Sequence, residues 1–166
     1  SKIEAGKLTV ENVPFVPAQL VRNVVDLYRP RILEKSLSLK MDIAPAMQET
    51  VQGDPHRLRQ IVLNLVDNAI RYTPAGQRVD LSVSTTDGVT TLVVEDSGPG
   101  IPETELARVF DPFYRVLGSN EVGSGLGLSI VQAISTRVGA KVSLGPASNQ
   151  SESGLRVTVT FPLATS

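Results

Sequence analysis

Hydrophobic residues recur along this chain with two periods, one typical of helices and one typical of strands. Three segments carry apolar residues at helical spacing, namely 17–32, 55–72 and 126–138. Five segments alternate every second residue as half-buried strands do, namely 37–43, 79–83, 91–95, 141–144 and 155–161. A further short helix is predicted at residues 102–110, before an irregular loop.

Residues with specific backbone preferences mark where these elements start and stop. Asp54 and Pro55 form an N-cap and a proline at the first helical position, and a Thr-Pro-Ala-Gly break follows at residues 73–76. Asp87 and Gly88 predict a tight turn between two strands. The predicted fold class is an α/β (α+β) two-layer sandwich, with helices on one face of a mixed, mostly antiparallel sheet.

The first few residues are interpreted separately. Residues 1–7 resemble the last turn of a helix that Gly6 ends in the C′ position. We therefore expect residues 1–7 to be the end of an upstream helix, and residues 8–166 to form one separate domain.

Composition narrows the class of protein. A chain of 166 residues with 41% hydrophobic and 20% charged residues is typical of one soluble domain. A net charge of −1 and scattered Lys and Arg residues argue against nucleic acid as a partner. No apolar run approaches the roughly 20 residues of a membrane span, and the absence of Cys excludes disulfides and thiol chemistry.

The helix predicted at residues 55–72 has an apolar face and a polar face. Gln60, Asn64, Asn68 and Arg71 fall on the polar side, which is either a solvated surface or a ligand site. Because Asn is a poorer helix former than Lys or Glu, two Asn residues in mid-helix favour a ligand. A neutral amide oxygen suits Mg²⁺ that also binds phosphates, and Asn68 is the predicted metal ligand.

Two glycine-bearing motifs follow along the chain. Asp96 opens Asp-Ser-Gly-Pro-Gly at the end of a predicted strand, where a carboxylate can accept a hydrogen bond from an exocyclic amine. Alone, this motif is more often a tight turn. Gly-Ser-Gly-Leu-Gly at residues 123–127 precedes a helix whose free N–H groups can meet a phosphate. It lacks the Gly-Lys-Ser/Thr ending of a P-loop, and no strand precedes it as in a dinucleotide-binding unit.

Taken together, four segments resemble the boxes of sensor histidine kinases. Residues 59–72, 96–100, 110–115 and 123–128 are similar to the N, G1, F and G2 boxes, in that order. The resemblance extends from about residue 8 to residue 163. It implies the Bergerat-type ATP-binding fold, which agrees with the sandwich predicted from periodicity. It also implies a catalytic domain that binds Mg-ATP and transfers the γ-phosphate to a histidine in two-component signal transduction.

The resemblance implies roles for individual residues. Asn68 would coordinate Mg²⁺, and Asn64 and Arg71 would complete the catalytic set near the metal and the phosphates. Tyr72 would pack near the adenine, and Asp96 would bind its amine. The other implied nucleotide contacts are Gly98, Gly100, Ile101, Arg115, Gly123, Gly125, Leu126, Gly127 and Leu128.

The segment between the last two boxes has a separate implied role. Residues 114–122 would form a lid over ATP. Phe110 and Phe113, which flank the start of this segment, are as readily core aromatics as site residues.

Position 64 separates the activities that share this fold. Hydrolases and serine kinases of the superfamily usually have Glu there, which can act as a general base. Asn64 cannot do so, and a neutral imidazole acceptor needs no such base. Two alternatives stay open: a regulatory module that holds nucleotide without transferring phosphate, and a hydrolase or serine kinase.

The phosphorylated histidine is expected outside this chain. His56, the only histidine, lies at the start of the long helix and is interpreted as structural. The resemblance implies that residues 1–7 are the C-terminal remnant of an upstream helical dimerisation and phosphoacceptor domain, and that residues 8–166 are the ATP-binding catalytic domain. The partners that it implies are this upstream helical domain and a response regulator. The parent protein is expected to be a homodimer in the bacterial inner membrane, with this domain cytoplasmic and monomeric on its own.

Overall fold

The computed structural model describes residues 3–4, 7–8, 10–98, 127–146, 154–162 and 164–165. The helices in these ranges are α1 Pro17–Glu34, α2 Pro55–Tyr72 and α3 Gly127–Val138, with a short 3-10 helix at Pro45–Gln48. The strands are β1 Ile3–Glu4, β2 Lys7–Leu8, β3 Val13–Phe15, β4 Ser38–Ile43, β5 Val51–Gly53, β6 Arg78–Thr86, β7 Val89–Asp96, β8 Lys141–Pro146, β9 Leu155–Pro162 and β10 Ala164–Thr165. None of the three described helices combines the length and hydrophobicity that crossing a bilayer requires.

The main sheet has five strands in the order β4-β6-β7-β9-β8. Only the β4–β6 pair is parallel, and the other three pairs are antiparallel. The β6–β7 hairpin turns through Asp87 and Gly88, which have φ values of 52° and 79°. Asp tolerates and Gly favours this left-handed region, so the predicted turn is confirmed.

The core lies between one face of this sheet and the helices. Along β6 and β7 every second residue is buried, and these residues include Val79, Leu81, Leu92 and Val94. Residues on the other face of the same strands are only partly buried. Helix α2 packs against both α1 and α3. Burial of each large aliphatic side chain contributes about 1.5–3 kcal/mol, which fixes α2 firmly on the sheet. The predicted two-layer sandwich is confirmed.

The start of α2 is held by a single buried carboxylate. Asp54 Oδ1 accepts a hydrogen bond from the backbone N–H of Arg57 at 3.1 Å, which confirms the predicted N-cap. Its Oδ2 accepts from the backbone N–H of Glu11 at 3.0 Å and lies 3.5 Å from Arg57 Nε. Asp54 therefore ties the segment before β3 to the beginning of α2.

A second, three-stranded sheet in the order β10-β5-β3 lies beside this point. Both outer strands run antiparallel to β5, and Val51 pairs with Phe15 on one side and with Thr165 on the other. The sheet is formed by strands of two or three residues. Such strands are too short to show an alternating pattern, and β5 and β10 were not predicted from the sequence.

The helical turn predicted at residues 1–7 is wrong for the residues that the structure describes. Ile3–Glu4 and Lys7–Leu8 form an antiparallel pair, with Ile3 opposite Leu8 and Glu4 opposite Lys7. Glycine is favoured both at a helix C′ position and between hairpin strands, so Gly6 did not distinguish the two structures. The predicted helix at 102–110 lies outside the described residues.

Candidate functional site

The polar face of α2 carries the amide side chains singled out from the sequence. Asn64 and Asn68 are both partly exposed, whereas Leu65 and Ala69 on the opposite side are buried. Asn64 Nδ2 donates a hydrogen bond to the carbonyl oxygen of Gln60 at 2.8 Å. Within the described ranges no hydrogen bond to the Asn68 side chain is found. The Asn68 amide is therefore available to an external ligand.

The donor set around Asn68 fits only certain metals. Nowhere in the described part of the chain do three or more His, Cys, Asp or Glu side chains come together as metal ligands. A tight all-protein cage is thus not formed there. A hard cation that keeps several waters and bridges to phosphate oxygens needs only one or two protein oxygens, and Mg²⁺ is such a cation. The Asn68 amide, which has no hydrogen-bond partner among the described residues, fits this mode of binding.

Arg71 is held by an acid one turn earlier on α2. Its Nη2 lies 3.1 Å from Asp67 Oδ2, and its Nε donates to the same oxygen at 3.3 Å. Arg31 Nη1, on α1, lies 3.7 Å from Asp67 Oδ1. Sequence reasoning missed Asp67, although its spacing of four residues from Arg71 is the spacing at which a helical ion pair forms.

The C-terminal end of α2 is stabilised from α1. Lys35 Nζ donates to the carbonyl oxygens of Ile70 at 2.7 Å and of Arg71 at 3.3 Å. A cation at this position compensates the unpaired carbonyls and the negative end of the helix dipole. Lys35 directly follows α1, a different helix from the one it contacts, so residue spacing along α2 could not indicate this contact.

Asp96 is a buried acid at the end of β7. It is 8% exposed, and its Oδ1 accepts hydrogen bonds from the backbone N–H groups of Gly98 at 2.9 Å and Leu155 at 3.4 Å. Burial raises the pKa of Asp96 from 3.8 to about 6. The two backbone hydrogen bonds lower the pKa, and the Glu95 charge raises it, by smaller amounts. A carboxylate in this environment can accept a hydrogen bond from an amine on a ligand.

Gly98 brings the ends of α2 and β7 into direct contact. A β-carbon added at Gly98 would lie 2.9 Å from the backbone oxygen of Tyr72 and 3.1 Å from Asp96 Oδ1. Nearby, the Ser97 hydroxyl accepts from the Arg78 N–H at 2.9 Å and so fastens the end of β7 to the start of β6. The structure therefore places Tyr72, Asp96 and Gly98 together.

The remaining predicted contacts divide into two groups. Gly127 is the first residue of α3, and Leu128 is partly buried against the core. Because α3 packs against α2, this end of the glycine motif belongs to a helix adjacent to α2. The predicted site residues outside the described ranges are Gly100, Ile101, Arg115, Gly123, Gly125 and Leu126, together with the lid at 114–122 and Phe110 and Phe113.

The sheet order, the helices on one face and a buried acid near the end of α2 are those of an ATP-binding domain with the Bergerat fold, as in the similar structures of histidine kinase catalytic domains. The family model described as histidine kinase-, DNA gyrase B- and HSP90-like ATPase matches residues 53–165. The match includes most of the chain, and the chain belongs to this family.

Individual relatives narrow the class further. Sensor histidine kinase RcsC of Escherichia coli (strain K12) is 34% identical over 166 residues, which cover 98% of this chain and 17% of RcsC. The structure of full-length ShkA in complex with AMPPNP has a TM-score of 0.81 and 32% identity, over 96% of this chain and 32% of that one. Histidine kinase ThkA in complex with the response regulator protein TrrA has a TM-score of 0.77 and 25% identity, over 95% and 43%.

These relatives identify the class of domain, and their lengths show that this chain matches only one part of each. The chain is the ATP-binding catalytic domain of a sensor histidine kinase. It spans less than a fifth of the length of RcsC.

Proposed function

We propose that this domain binds Mg-ATP and transfers the γ-phosphate to a histidine on a helical domain of the parent protein. The observation that carries the proposal is the partly exposed Asn68 amide, which has no hydrogen-bond partner within the part of the chain the structure describes. It lies one turn from Asn64, on the face of α2 that the core does not use.

The residues of α2 suit phosphoryl transfer to an imidazole. Such transfer depends mainly on alignment of the reactants and on neutralisation of charge, with little covalent chemistry by the protein. Asn64 is neutral, already donates to the Gln60 carbonyl, and cannot remove a proton as Glu would. A neutral histidine is nucleophilic near pH 7 and needs no proton removed. A bound Mg²⁺ would bridge phosphate oxygens and neutralise their charge.

The proposed roles are those that the sequence resemblance implies. Asn68 supplies the metal ligand, and Arg71 contacts a phosphate beside it. Asp96 accepts a hydrogen bond from the adenine amine, and Tyr72 packs near the base. Residues 114–122 close over the nucleotide as a lid, and the glycines at 123, 125 and 127 border the phosphates.

The partners and location of the parent protein are part of the same proposal. The domain works with an upstream helical phosphoacceptor domain and a response regulator, in a homodimeric parent at the bacterial inner membrane. The ThkA–TrrA complex supports the assignment of a response regulator, because a structure similar to this one was solved with such a partner. The domain would then lie on the cytoplasmic side, where ATP is present.

Calorimetric titration with AMPPNP, with and without Mg²⁺, tests the site. Mg²⁺ is expected to tighten binding by about tenfold in the wild type, or about 1.4 kcal/mol, and to have no effect in Asn68→Ala. Asn23→Ala, at an exposed position on α1, is the matched control. An equal Mg²⁺ effect in Asn68→Ala and the wild type would reject Asn68 as the metal ligand.

Transfer itself needs a longer form of the protein that includes the acceptor domain. Label from γ-labelled ATP is expected to appear on that domain in an acid-labile form, and to be lost in Asn68→Ala. Nucleotide binding without label in the longer protein would favour a regulatory module. Rapid phosphate release by the present chain alone would instead favour a hydrolase.

A further inference from the structure

The ion pair between Asp67 and Arg71 lies beside the proposed phosphate site. We infer that Asp67 is a positioning residue: it orients the Arg71 guanidinium towards the phosphates of the nucleotide. The inference rests on the proposed nucleotide site and adds a residue to it.

Helix geometry places Arg71 between two groups of side chains. With about 100° per residue, Arg71 projects about 20° from Asn64 on one side and about 40° from Asp67 on the other. Asn68 lies beyond Asn64, on the side away from Asp67. The guanidinium can therefore contact Asp67 on the α1 side and a phosphate on the Asn64–Asn68 side.

Asp67 is itself fixed by residues of α1. Arg31 Nη1 lies 3.7 Å from its Oδ1. Tyr28 is also near, because the Asp67 carboxylate adds to the rise in the pKa of Tyr28 that burial causes. Both Asp67 and Arg71 have side chains that are 27% exposed. The acid is thus held from a second helix and cannot swing away freely with Arg71.

The contacts of the guanidinium allow it to serve two partners. Asp67 accepts from the Nε and Nη2 edge of Arg71. A guanidinium has five N–H donors in a rigid fork, so one edge can hold a carboxylate while other donors meet a phosphate oxygen. Fixing the first edge removes rotamer freedom that a long Arg side chain would otherwise lose on binding.

The direction in which Asp67→Asn changes AMPPNP affinity distinguishes a positioning role from simple electrostatic repulsion of the phosphates. Asp67→Asn removes a negative charge near the phosphates, and by Coulomb's law alone it would tighten triphosphate binding. If Asp67 orients Arg71, the same variant should bind AMPPNP about three- to fivefold more weakly. Binding of adenosine, which has no phosphate, should be unchanged.

The experiment is a titration of AMPPNP and adenosine into wild type, Asp67→Asn, Arg71→Met and the double variant. Asp26→Asn is the matched control, because Asp26 pairs with Arg29 at 3.5 Å on the exposed side of α1. We expect Arg71→Met to weaken AMPPNP binding and Asp67→Asn to add nothing in that background. AMPPNP binding to Asp67→Asn that equals or exceeds the wild-type affinity would overturn the inference. Failure of the wild type to bind AMPPNP would instead reject the nucleotide site as well.

Discussion

The α-carbon of Gly98 faces the backbone oxygen of Tyr72 so closely that a β-carbon there would lie 2.9 Å from it. The end of α2 and the end of β7 can approach in this way only without a side chain at position 98. Gly98→Ala is expected to lower the free energy of unfolding by about 1–3 kcal/mol, because rigid backbone must move. It should also weaken AMPPNP binding, since Asp96 and Tyr72 are displaced.

Gly145→Ala is the control for this substitution. Gly145 lies in β8, and a β-carbon there meets nothing within 4 Å. Chemical denaturation of both variants gives the comparison. Equal stability of Gly98→Ala and Gly145→Ala would contradict the close contact with Tyr72.

The ionised carboxylate of Asp96 is expected to lower the free energy of unfolding. Its pKa is raised by burial to about 6 in the native state, from 3.8, so the folded protein binds the proton more tightly than the unfolded chain does. The stabilisation from the protonated acid is complete below about pH 4 and is lost as the pH rises through about 6. A shift of roughly two units corresponds to on the order of 2–3 kcal/mol.

The substitution Asp96→Asn tests whether ionisation of Asp96 lowers the stability of the protein. The variant keeps an oxygen that can accept from Gly98 and Leu155 but carries no charge. It should be more stable than the wild type at pH 8 and nearly equal to it at pH 4, as measured by denaturant unfolding at both values. The same variant should bind AMPPNP more weakly at pH 8. A stability difference that does not grow between pH 4 and pH 8 would show that burial does not raise the pKa of Asp96.

The Lys35 contact with α2 predicts a loss of stability on its removal. Lys35→Met keeps the aliphatic stem but leaves the carbonyls of Ile70 and Arg71 without their charged donor. The expected loss is about 1–2 kcal/mol in the free energy of unfolding. Lys40→Met is the control, because Lys40 is exposed on the edge strand β4. Similar stability of the two variants would argue against a capping role for Lys35.

Replacement of Thr90 by an apolar residue is expected to raise the stability of the protein. It is 2% exposed and lines a small apolar cavity of about 10 Å³ between α1, α2 and the sheet. Its neighbours in this lining are apolar, among them Val21, Val62 and Leu92. Thr90→Val should raise the free energy of unfolding by about 1 kcal/mol, because a methyl group replaces the hydroxyl in apolar surroundings.

Thr91→Val provides the comparison on the same strand. Thr91 lies on the opposite face of β7 and is partly exposed. Its substitution should leave thermal unfolding nearly unchanged. If Thr90→Val is less stable than the wild type, its hydroxyl makes a useful hydrogen bond after all.

Periodicity was enough to predict the main helices and the strands of the larger sheet. The bounds of α2 followed from Asp54, Pro55 and the Thr73–Pro74 break, because each of these residues acts through its own backbone preference. The helical turn predicted at residues 1–7 was wrong because glycine is favoured in both of the structures considered there. The polar face of α2 was predicted from two Asn residues at helical spacing, and Asp96 from the glycine motif that follows it at the end of a strand.

Contacts between distant segments could not be read from spacing. Lys35 reaches α2 from the end of α1, and the backbone N–H of Leu155 reaches Asp96 from 59 residues away. The hydrogen-bond partner of such a side chain depends on how whole helices and strands pack together, and a local sequence pattern does not contain that information. The raised pKa of Asp96 has the same origin, since its burial is produced by the whole fold.

The small sheet around β5 makes this domain suited to circular permutation. Phe15 and Thr165 flank Val51 from opposite sides, so β3 and β10 run side by side about 10 Å apart. A linker of about four residues, each reaching up to about 3.5 Å, could join Thr165 to Val13. New termini at the Asp87–Gly88 turn would then keep α2 and the hydrogen bonds of Asp96 with Gly98 and Leu155, and would remove only the Glu11 contact from the start of α2. The folding of α2 beside Asp96 would thus be independent of chain connectivity.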